Sequence, residues 1–146
     1  MNIASFLQPK IEVTFLQDNM TLDRAIEILK HSGYSAVPVI DKEERYVGVV
    51  SEGDFLWSIT DRHSQTGIKG VKSLKKSIVR DIIRFGRVRA VCIDTDMEEL
   101  LEQAKNQNFV PVVDDRNVFI GIVTRRDIIT YFARNQKKEQ VLQPGE

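Results

Sequence analysis

The apolar positions of the chain form two series that repeat one order of predicted elements. Residues 22–29 and 97–104 carry apolar side chains at positions i, i+3, i+4 and i+7, the spacing of an amphipathic helix. Short runs rich in Val at residues 36–41 and 109–114 end in turn residues and predict a strand after each helix. Because the same order occurs twice, the pattern predicts an internal repeat.

The repeat is clearest where a strand leads into a helix. YVGVVSEGDF at residues 46–55 matches FIGIVTRRDI at residues 119–128 class by class, at an offset of 73. Apolar residues continue at helical spacing beyond each junction. Short strands are also predicted before the first helix of each series, around Val13–Leu16 and Ala90–Ile93. Each copy is therefore predicted as β-α-β-β-α.

These elements divide the chain into four predicted segments. The first repeat with a short entry segment covers residues 1–61, a polar linker covers 62–76, the second repeat covers 77–135, and a frayed tail covers 136–146. The second repeat is predicted to begin with a short entry helix at 77–85. Since one unit alone could not cover both faces of its small sheet, we expect the two repeats to pack face to face in an α+β fold.

Composition narrows the class of protein. The chain has 146 residues, of which 42% are hydrophobic and 29% charged, values typical of a globular domain. Cys92 is the only cysteine and there are two histidines, so neither a disulfide nor a metal site is expected. The sequence shows no secretory signal, no apolar run of the ~18 residues that span a membrane, and no catalytic motif. We expect a cytoplasmic protein that is not an enzyme, needs no cofactor and does not bind a membrane.

Charge is unevenly distributed although the net charge is zero. Residues 1–61 sum to −5, residues 62–90 to +8 and residues 91–146 to −3. A basic belt of this kind can bind a polyanion, so a nucleic-acid-binding module is one hypothesis. Phe85 is the only aromatic residue within the belt, whereas stacking platforms usually use several, so nucleic acid is the less favoured ligand. The belt consists of Lys69, Lys72, Lys75, Lys76, Arg80, Arg84, Arg87 and Arg89.

Four segments carry the most specific pattern. They are YSAVPVID and YVGVVSEGD in the first repeat, and NFVPVVDD and FIGIVTRRD in the second. This pattern resembles the CBS-domain pair, also called a Bateman module, over residues 3–134. The resemblance implies two halves around a pseudo-two-fold axis with two clefts between them. It also implies that these clefts bind adenine nucleotides and that the chain forms a homodimer.

Each repeat contains a hydroxyl residue followed three residues later by an aspartate, Ser51 with Asp54 and Thr124 with Asp127. One interpretation is a capping box, in which the two side chains bind backbone N–H groups at a helix start. The other uses the same geometry for a ligand, because a helix N-terminus attracts phosphate and a neighbouring carboxylate accepts hydrogen bonds from ribose hydroxyls. The family resemblance supports the second interpretation, with both aspartates as ribose partners.

Further site residues are implied by the resemblance. Residues just before Pro38 and Pro111 would offer backbone groups to the base, namely Ser35, Ala36, Val37, Asn108, Phe109 and Val110. A purine could lie between apolar side chains of the cleft, which would be Val13, Tyr34, Val37, Val91, Phe109 and Val110. The alternative is that any of these residues belongs to the core. Gly48 and Gly121 lie within strands, where we expect them to permit tight packing between the sheets.

The two copies differ most between the hydroxyl residue and the aspartate. Glu52 and Gly53 fill these positions in the first copy, and Arg125 and Arg126 in the second. Since a carboxylate repels phosphate whereas guanidinium groups bind it, we expect two clefts that are not equivalent. Arg126, adjacent to Asp127, is the arginine that we expect to bind a phosphate directly, and Arg125 should reach a second phosphate or a neighbouring carboxylate. The alternative is that both are solvated surface arginines.

The predicted function is that of a regulatory sensor. We expect a stand-alone CBS-domain pair that binds an adenine nucleotide and signals its occupancy to a separate protein. The chain resembles the bacterial CBS proteins that bind cyclic di-AMP, which implies a metabolic or stringent-response enzyme as the partner. The sequence leaves AMP, ATP, cyclic di-AMP and S-adenosylmethionine open as ligands.

Overall fold

The computed structural model describes residues 2–60 and 74–142 of the chain, so most of the predicted linker at 62–76 lies outside the described residues. The first repeat contains β2 Leu16–Gln17, α1 Leu22–Ser32, β3 Ala36–Ile40, β4 Tyr46–Ser51 and α2 Glu52–Thr60. The second contains β5 Val91–Cys92, α3 Met97–Asn106, β6 Phe109–Val113, β7 Phe119–Thr124 and α4 Arg125–Leu142. An entry segment precedes each repeat, with β1 Gln8–Pro9 and 3₁₀ turns at Ile3–Phe6, Lys10–Glu12 and Val79–Asp81.

Each repeat forms its own small sheet, and the two sheets share one topology. The strand order is β2-β3-β4 in the first repeat and β5-β6-β7 in the second. In both, the first pair is parallel and the hairpin is antiparallel. The registers correspond as well, since Val39 pairs with Gly48 and Val112 with Gly121. The predicted α+β fold of two β-α-β-β-α repeats is confirmed.

The entry segments are exchanged between the repeats. Ile3 is fully buried in the core of the second repeat, and β1 pairs with β7 as a fourth strand of that sheet. Val79 and Ile83 lie in the core of the first repeat, where the Val79 N–H donates to the Met20 carbonyl at 2.9 Å. We grouped each entry segment with the repeat that follows it in the sequence, but each one packs on the other repeat. Each repeat therefore holds the entry segment of the other.

Two equivalent glycines make room for the exchanged segments. A Cβ atom at Gly121 would lie 2.2 Å from the backbone oxygen of Gln8, and one at Gly48 would lie 2.9 Å from Cδ1 of Ile83. Both distances are too short for a real side chain. The glycines therefore permit close packing, as predicted, although the atoms they admit belong to the entry segments and not to the opposing sheet.

The tips of the two hairpins bind each other. Arg45 and Val118 form an isolated β-bridge, and the Tyr46 and Phe119 N–H groups each donate across the repeats at 2.9 Å. Both turns have the same internal construction. Oδ1 of Asp41 and Oδ1 of Asp114 each accept two backbone hydrogen bonds from the turn that follows.

Two predicted elements differ from the structure, each for a physical reason. The frayed tail expected at 136–146 stays a prediction, and α4 extends to Leu142. The entry helix at 77–85 is only a 3₁₀ turn, since its backbone N–H groups bind carbonyls of the first repeat. The strand expected at 13–16 begins only at Leu16, after a 3₁₀ turn.

Candidate nucleotide-binding cleft

A cleft of about 340 Å³ lies between the two repeats and is lined by residues of both. Nine of the predicted site residues line it: Val13, Tyr34, Ser35, Ala36, Val37, Asn108, Phe109, Thr124 and Arg126. Its lining also includes residues that were not predicted as site residues, namely Gln8, Glu12, Thr14, Pro38 and Ile122. The cleft combines apolar walls with a few polar groups, the composition typical of small-molecule sites.

Three elements shape the cleft. The beginning of β3 supplies Ala36 and Val37, whose backbone is fixed by pairing with β4. The entry segment before β2 supplies Val13 together with Gln8 from β1. The end of β7 and the start of α4 supply Thr124 and Arg126. The cleft therefore depends on the exchanged packing, because its walls come from segments that are far apart in sequence.

Asp127 is held in a fixed orientation at the start of α4. Its Oδ2 accepts hydrogen bonds from the Thr124 N–H at 3.2 Å, the Thr124 hydroxyl at 2.7 Å and the Gln8 side-chain amide at 2.9 Å. The Asp127 N–H donates back to the Thr124 hydroxyl oxygen at 3.1 Å, which completes a capping box. Among the described residues, none donates a hydrogen bond to Oδ1 or forms an ion pair with it. Asp127 thus presents one fixed, available carboxylate oxygen next to the cleft-lining Thr124 and Arg126.

Asp54 has the same cap but a different environment. Its Oδ2 accepts from the N–H and hydroxyl of Ser51 at 2.9 and 3.1 Å, and its own N–H donates to that hydroxyl oxygen at 3.3 Å. Its Oδ1, however, lies 3.5 Å from Nε of Arg84 and 3.5 Å from Nη1 of Arg87. The side chain is only 2% exposed. The capping interpretation thus applies to both aspartates, and only Asp127 keeps an oxygen that is engaged neither in the cap nor in an ion pair.

The two arginines of the second motif have separate roles. The Arg125 guanidinium donates to the carbonyl oxygens of Ala104 and Lys105 at 2.8 and 2.9 Å, and to Oδ1 of Asn108 at 3.4 Å. It therefore satisfies carbonyl groups at the end of α3. The sequence had predicted that the Arg125 side chain contacts the ligand. Arg126 lines the cleft. Of these two arginines, Arg126 alone is a candidate for contact with a bound anion.

Six predicted site residues lie outside the cleft lining: Ser51, Asp54, Val91, Val110, Arg125 and Asp127. Val91 and Val110 are buried in the core of the second repeat, so the alternative that they are core residues applies. Ser51 and Asp54 form the cap of α2 in the first repeat. Gln8 and Glu12 were missed because nothing in the sequence indicates that the entry segment crosses to the other repeat. The matched glycines predicted a close approach but did not identify the approaching segment.

The predicted basic belt is partly neutralised within the chain. Lys69 and Lys72 lie outside the described residues. Arg80 donates to Oδ2 of Asp18 from Nε at 2.8 Å and from Nη2 at 2.5 Å. Arg84 and Arg87 form the ion pairs with Asp54. Several of the cations that could attract nucleic acid thus have acidic partners in the fold.

The described residues carry neither a cluster of metal ligands nor a membrane-spanning helix. They contain no group of at least three His, Cys, Asp or Glu side chains that could hold a metal ion. None of the helices in residues 2–60 and 74–142 is both long and apolar enough to cross a bilayer.

The family model described as "CBS domain" matches residues 6–61 and 79–134 of this chain. The chain belongs to the CBS-domain family. It contains a tandem pair of CBS repeats, whose matched ranges each contain one β-α-β-β-α unit.

Curated relatives place the CBS pair both inside larger enzymes and in proteins of similar length. The chain is 30% identical over 122 residues to inosine-5′-monophosphate dehydrogenase of Methanocaldococcus jannaschii, covering 81% of this chain and 21% of the dehydrogenase. It spans about a fifth to a quarter of the first two curated relatives that it matches. It is 25% identical over 128 residues to cyclic di-AMP receptor B of Bacillus subtilis, covering 87% of this chain and 83% of the receptor. The dehydrogenase therefore matches only over a CBS part of its length.

A solved structure agrees with the architecture. The fold matches a crystal structure of CbpB in complex with c-di-AMP, with a TM-score of 0.84 and 22% sequence identity. The match covers 98% of this chain and 91% of the CbpB chain. At this level of identity the match shows a shared fold.

Proposed function

We propose that this CBS pair is a regulatory sensor that binds an adenine nucleotide in the cleft beside Asp127. The observation that carries the proposal is the state of that carboxylate: three hydrogen bonds fix Oδ2, whereas Oδ1 accepts none from the described residues. A fixed acceptor of this kind suits a ribose hydroxyl, which donates a charge-assisted hydrogen bond.

The other groups of the cleft match the remaining parts of a nucleotide. Arg126 and the N-terminus of α4 together attract phosphate, because both present N–H donors and positive charge. Val13, Val37 and Ile122 provide apolar surface for the base. Asp127 directly follows Arg126, so a sugar acceptor lies next to a cleft that offers a phosphate donor and an apolar wall.

Cyclic di-AMP is the first ligand to test, and AMP and ATP follow. The relative from Bacillus subtilis is named a cyclic di-AMP receptor, and the similar CbpB structure contains c-di-AMP. Binding would act on a separate protein, such as a metabolic or stringent-response enzyme, through different affinities for the free and bound chain. Under this proposal, the CBS pair itself carries out no chemical reaction.

We also propose that two chains form a homodimer through their outer helices. Leu56 on α2 is 54% exposed, and Ile129 and Phe132 on α4 are 68% and 41% exposed. Ile26 and Leu56 both line a shallow apolar groove between α1 and α2, and Ile26 is only partly buried there. Exposed apolar surface of this kind favours association. Light scattering at micromolar concentration should give twice the chain mass, and a monomer would contradict this proposal.

Calorimetric titration with cyclic di-AMP, AMP and ATP tests the nucleotide site. Asp127→Asn keeps the shape of the side chain and removes its charge, so the affinity for the bound nucleotide should fall about ten- to a hundredfold, the worth of a charge-assisted hydrogen bond. Asn can still accept at the cap, so the free energy of unfolding should fall by no more than about 2 kcal/mol.

Asp115→Asn is the matched control, because Asp115 is an exposed aspartate on the hairpin turn and does not line the cleft. This variant should bind like the parent. If no adenine nucleotide binds the parent, or if Asp127→Asn binds as tightly as the parent, the proposed function is wrong.

A further inference from the structure

The two motif aspartates differ in what occupies the second carboxylate oxygen. In both, Oδ2 takes part in the cap of the following helix. Oδ1 of Asp54 lies 3.5 Å from each of two guanidinium groups, those of Arg84 and Arg87. Because the Asp54 side chain is 2% exposed, these cations supply the charge compensation that a buried carboxylate requires.

The two arginines belong to an entry segment that is firmly attached to the first repeat. Ile83 packs against Gly48, and the Tyr46 hydroxyl donates to the Val88 carbonyl at 2.7 Å. Arg80 is paired with Asp18. The segment that carries Arg84 and Arg87 is therefore fixed on both sides of them.

Equivalent positions of the other entry segment carry different chemistry. The side chains of Ile83 and Leu7 meet the matched glycines Gly48 and Gly121, four residues after the buried Val79 and Ile3, and so occupy equivalent places in the two halves. One residue further along each segment, Arg84 corresponds to Gln8, and each of them contacts the motif aspartate of its half. A neutral amide therefore approaches Asp127, whereas guanidinium groups approach Asp54.

The starts of the two motif helices, α2 and α4, differ in the opposite sense: the cation lies at the helix start in the second repeat and not in the first. The residue before Asp127 is Arg126, which lines the cleft, and the residue before Asp54 is Gly53. The first repeat thus lacks a cation at the start of its motif helix and has cations on the carboxylate itself. A ribose hydroxyl at Asp54 would have to displace two ion pairs and would replace them with a neutral contact.

We propose that Arg84 and Arg87 act as an internal ligand of Asp54, so that the first repeat takes no nucleotide and each chain binds through Asp127 alone. The proposal rests on the proposed function for its ligand, and it adds which repeat is used and which residues close the other. Asp54 is then not a ribose partner, as predicted from the sequence, but a counter-ion that attaches the second entry segment to α2.

Calorimetric titration with cyclic di-AMP tests the choice of repeat. Asp54→Asn should bind within about twofold of the parent, with no more than one ligand per chain, whereas Asp127→Asn should lose at least about tenfold in affinity. More than one ligand per chain, or a tenfold loss in Asp54→Asn, would overturn the proposal.

Thermal unfolding tests the internal ligand without any nucleotide. Asp54→Asn and the double variant Arg84→Gln/Arg87→Gln should each lower the melting temperature by several degrees. The triple variant should melt close to the less stable of these two, since all three residues share one interaction. Arg89→Gln, in the same segment, is the matched control and should melt like the parent.

Fully additive losses, or no loss in either variant, would overturn the internal-ligand proposal even if the parent binds nucleotide. If the parent binds no adenine nucleotide but the losses are coupled, the proposed function fails and the internal pairing of Asp54 stands. The two proposals can therefore fail separately.

Discussion

The two repeats share one capping motif and use the residues inside it for different tasks. In the first repeat, α1 ends at Gly33, whose φ of 74° gives a left-handed cap. In the second, α3 ends at Gln107 in an extended conformation, without such a glycine. The Arg125 guanidinium binds the α3 carbonyl oxygens instead. Arg125, at one variable position of the second motif, thus completes the end of α3. Arg126, at the other, lines the cleft.

The same comparison explains why only one carboxylate is available. Asp54 and Asp127 have matching caps, but the entry segments bring arginines to one and an amide to the other. The cap therefore belongs to the fold, and the surrounding residues decide whether a ligand can use it. Duplication supplied two equivalent positions, and the exchanged entry segments make them different.

The largest expected difference between the repeats is at the matched glycines. A Cβ at Gly121 would meet a backbone oxygen at 2.2 Å, whereas one at Gly48 would meet the movable end of the Ile83 side chain at 2.9 Å. Gly121→Ala should therefore lower the free energy of unfolding by about 3 kcal/mol or more, and Gly48→Ala by about 1–2 kcal/mol. Urea denaturation measures both. Equal losses would show that the two entry segments are attached equally tightly.

The second prediction separates the two arginines of the second motif. Arg126→Met should weaken nucleotide binding about ten- to a hundredfold and leave stability nearly unchanged, because it removes an exposed cation at the cleft. Arg125→Met should lower the free energy of unfolding by about 1–3 kcal/mol with affinity retained, because it removes donors from the α3 carbonyls. Calorimetry and urea denaturation of both variants decide. The reverse result would exchange the two roles.

The smallest expected effect concerns the helix end of the first repeat. Gly33→Ala should cost about 1 kcal/mol, because the site has open space but a positive φ that Ala adopts poorly. Gly53→Ala, inside α2 with a nearest contact of 3.6 Å, is the matched control and should be neutral or slightly stabilising. If both substitutions have the same effect, the left-handed cap contributes nothing to the first repeat.

Local features of the fold were predictable from the sequence, and the crossing segments were not. The helices, the hairpins and the Asp96 cap, whose Oδ1 accepts the Glu99 N–H at 2.8 Å, follow from spacing within a few residues. The exchange of entry segments depends on pairing between β1 and β7, more than a hundred residues apart, to which no local pattern points.

The site residues divide in the same way: those set by local sequence were predictable, and those brought in by the crossing segments were not. Residues beside the motifs, such as Ala36, Thr124 and Arg126, were predicted and line the cleft. Gln8 was missed because it reaches the cleft through the exchange. Arg125 was assigned to the ligand because its sequence neighbours suggested a phosphate site, and the end of α3 is close to it only in the folded chain.

A crystal structure of the chain with cyclic di-AMP tests the central claim most directly. We expect one adenosine with its ribose hydroxyl at hydrogen-bond distance from Oδ1 of Asp127, a phosphate near Arg126, and Asp54 still paired with Arg84 and Arg87. A ligand on Asp54, or a nucleotide bound elsewhere with the Asp127 cleft empty, would contradict the account.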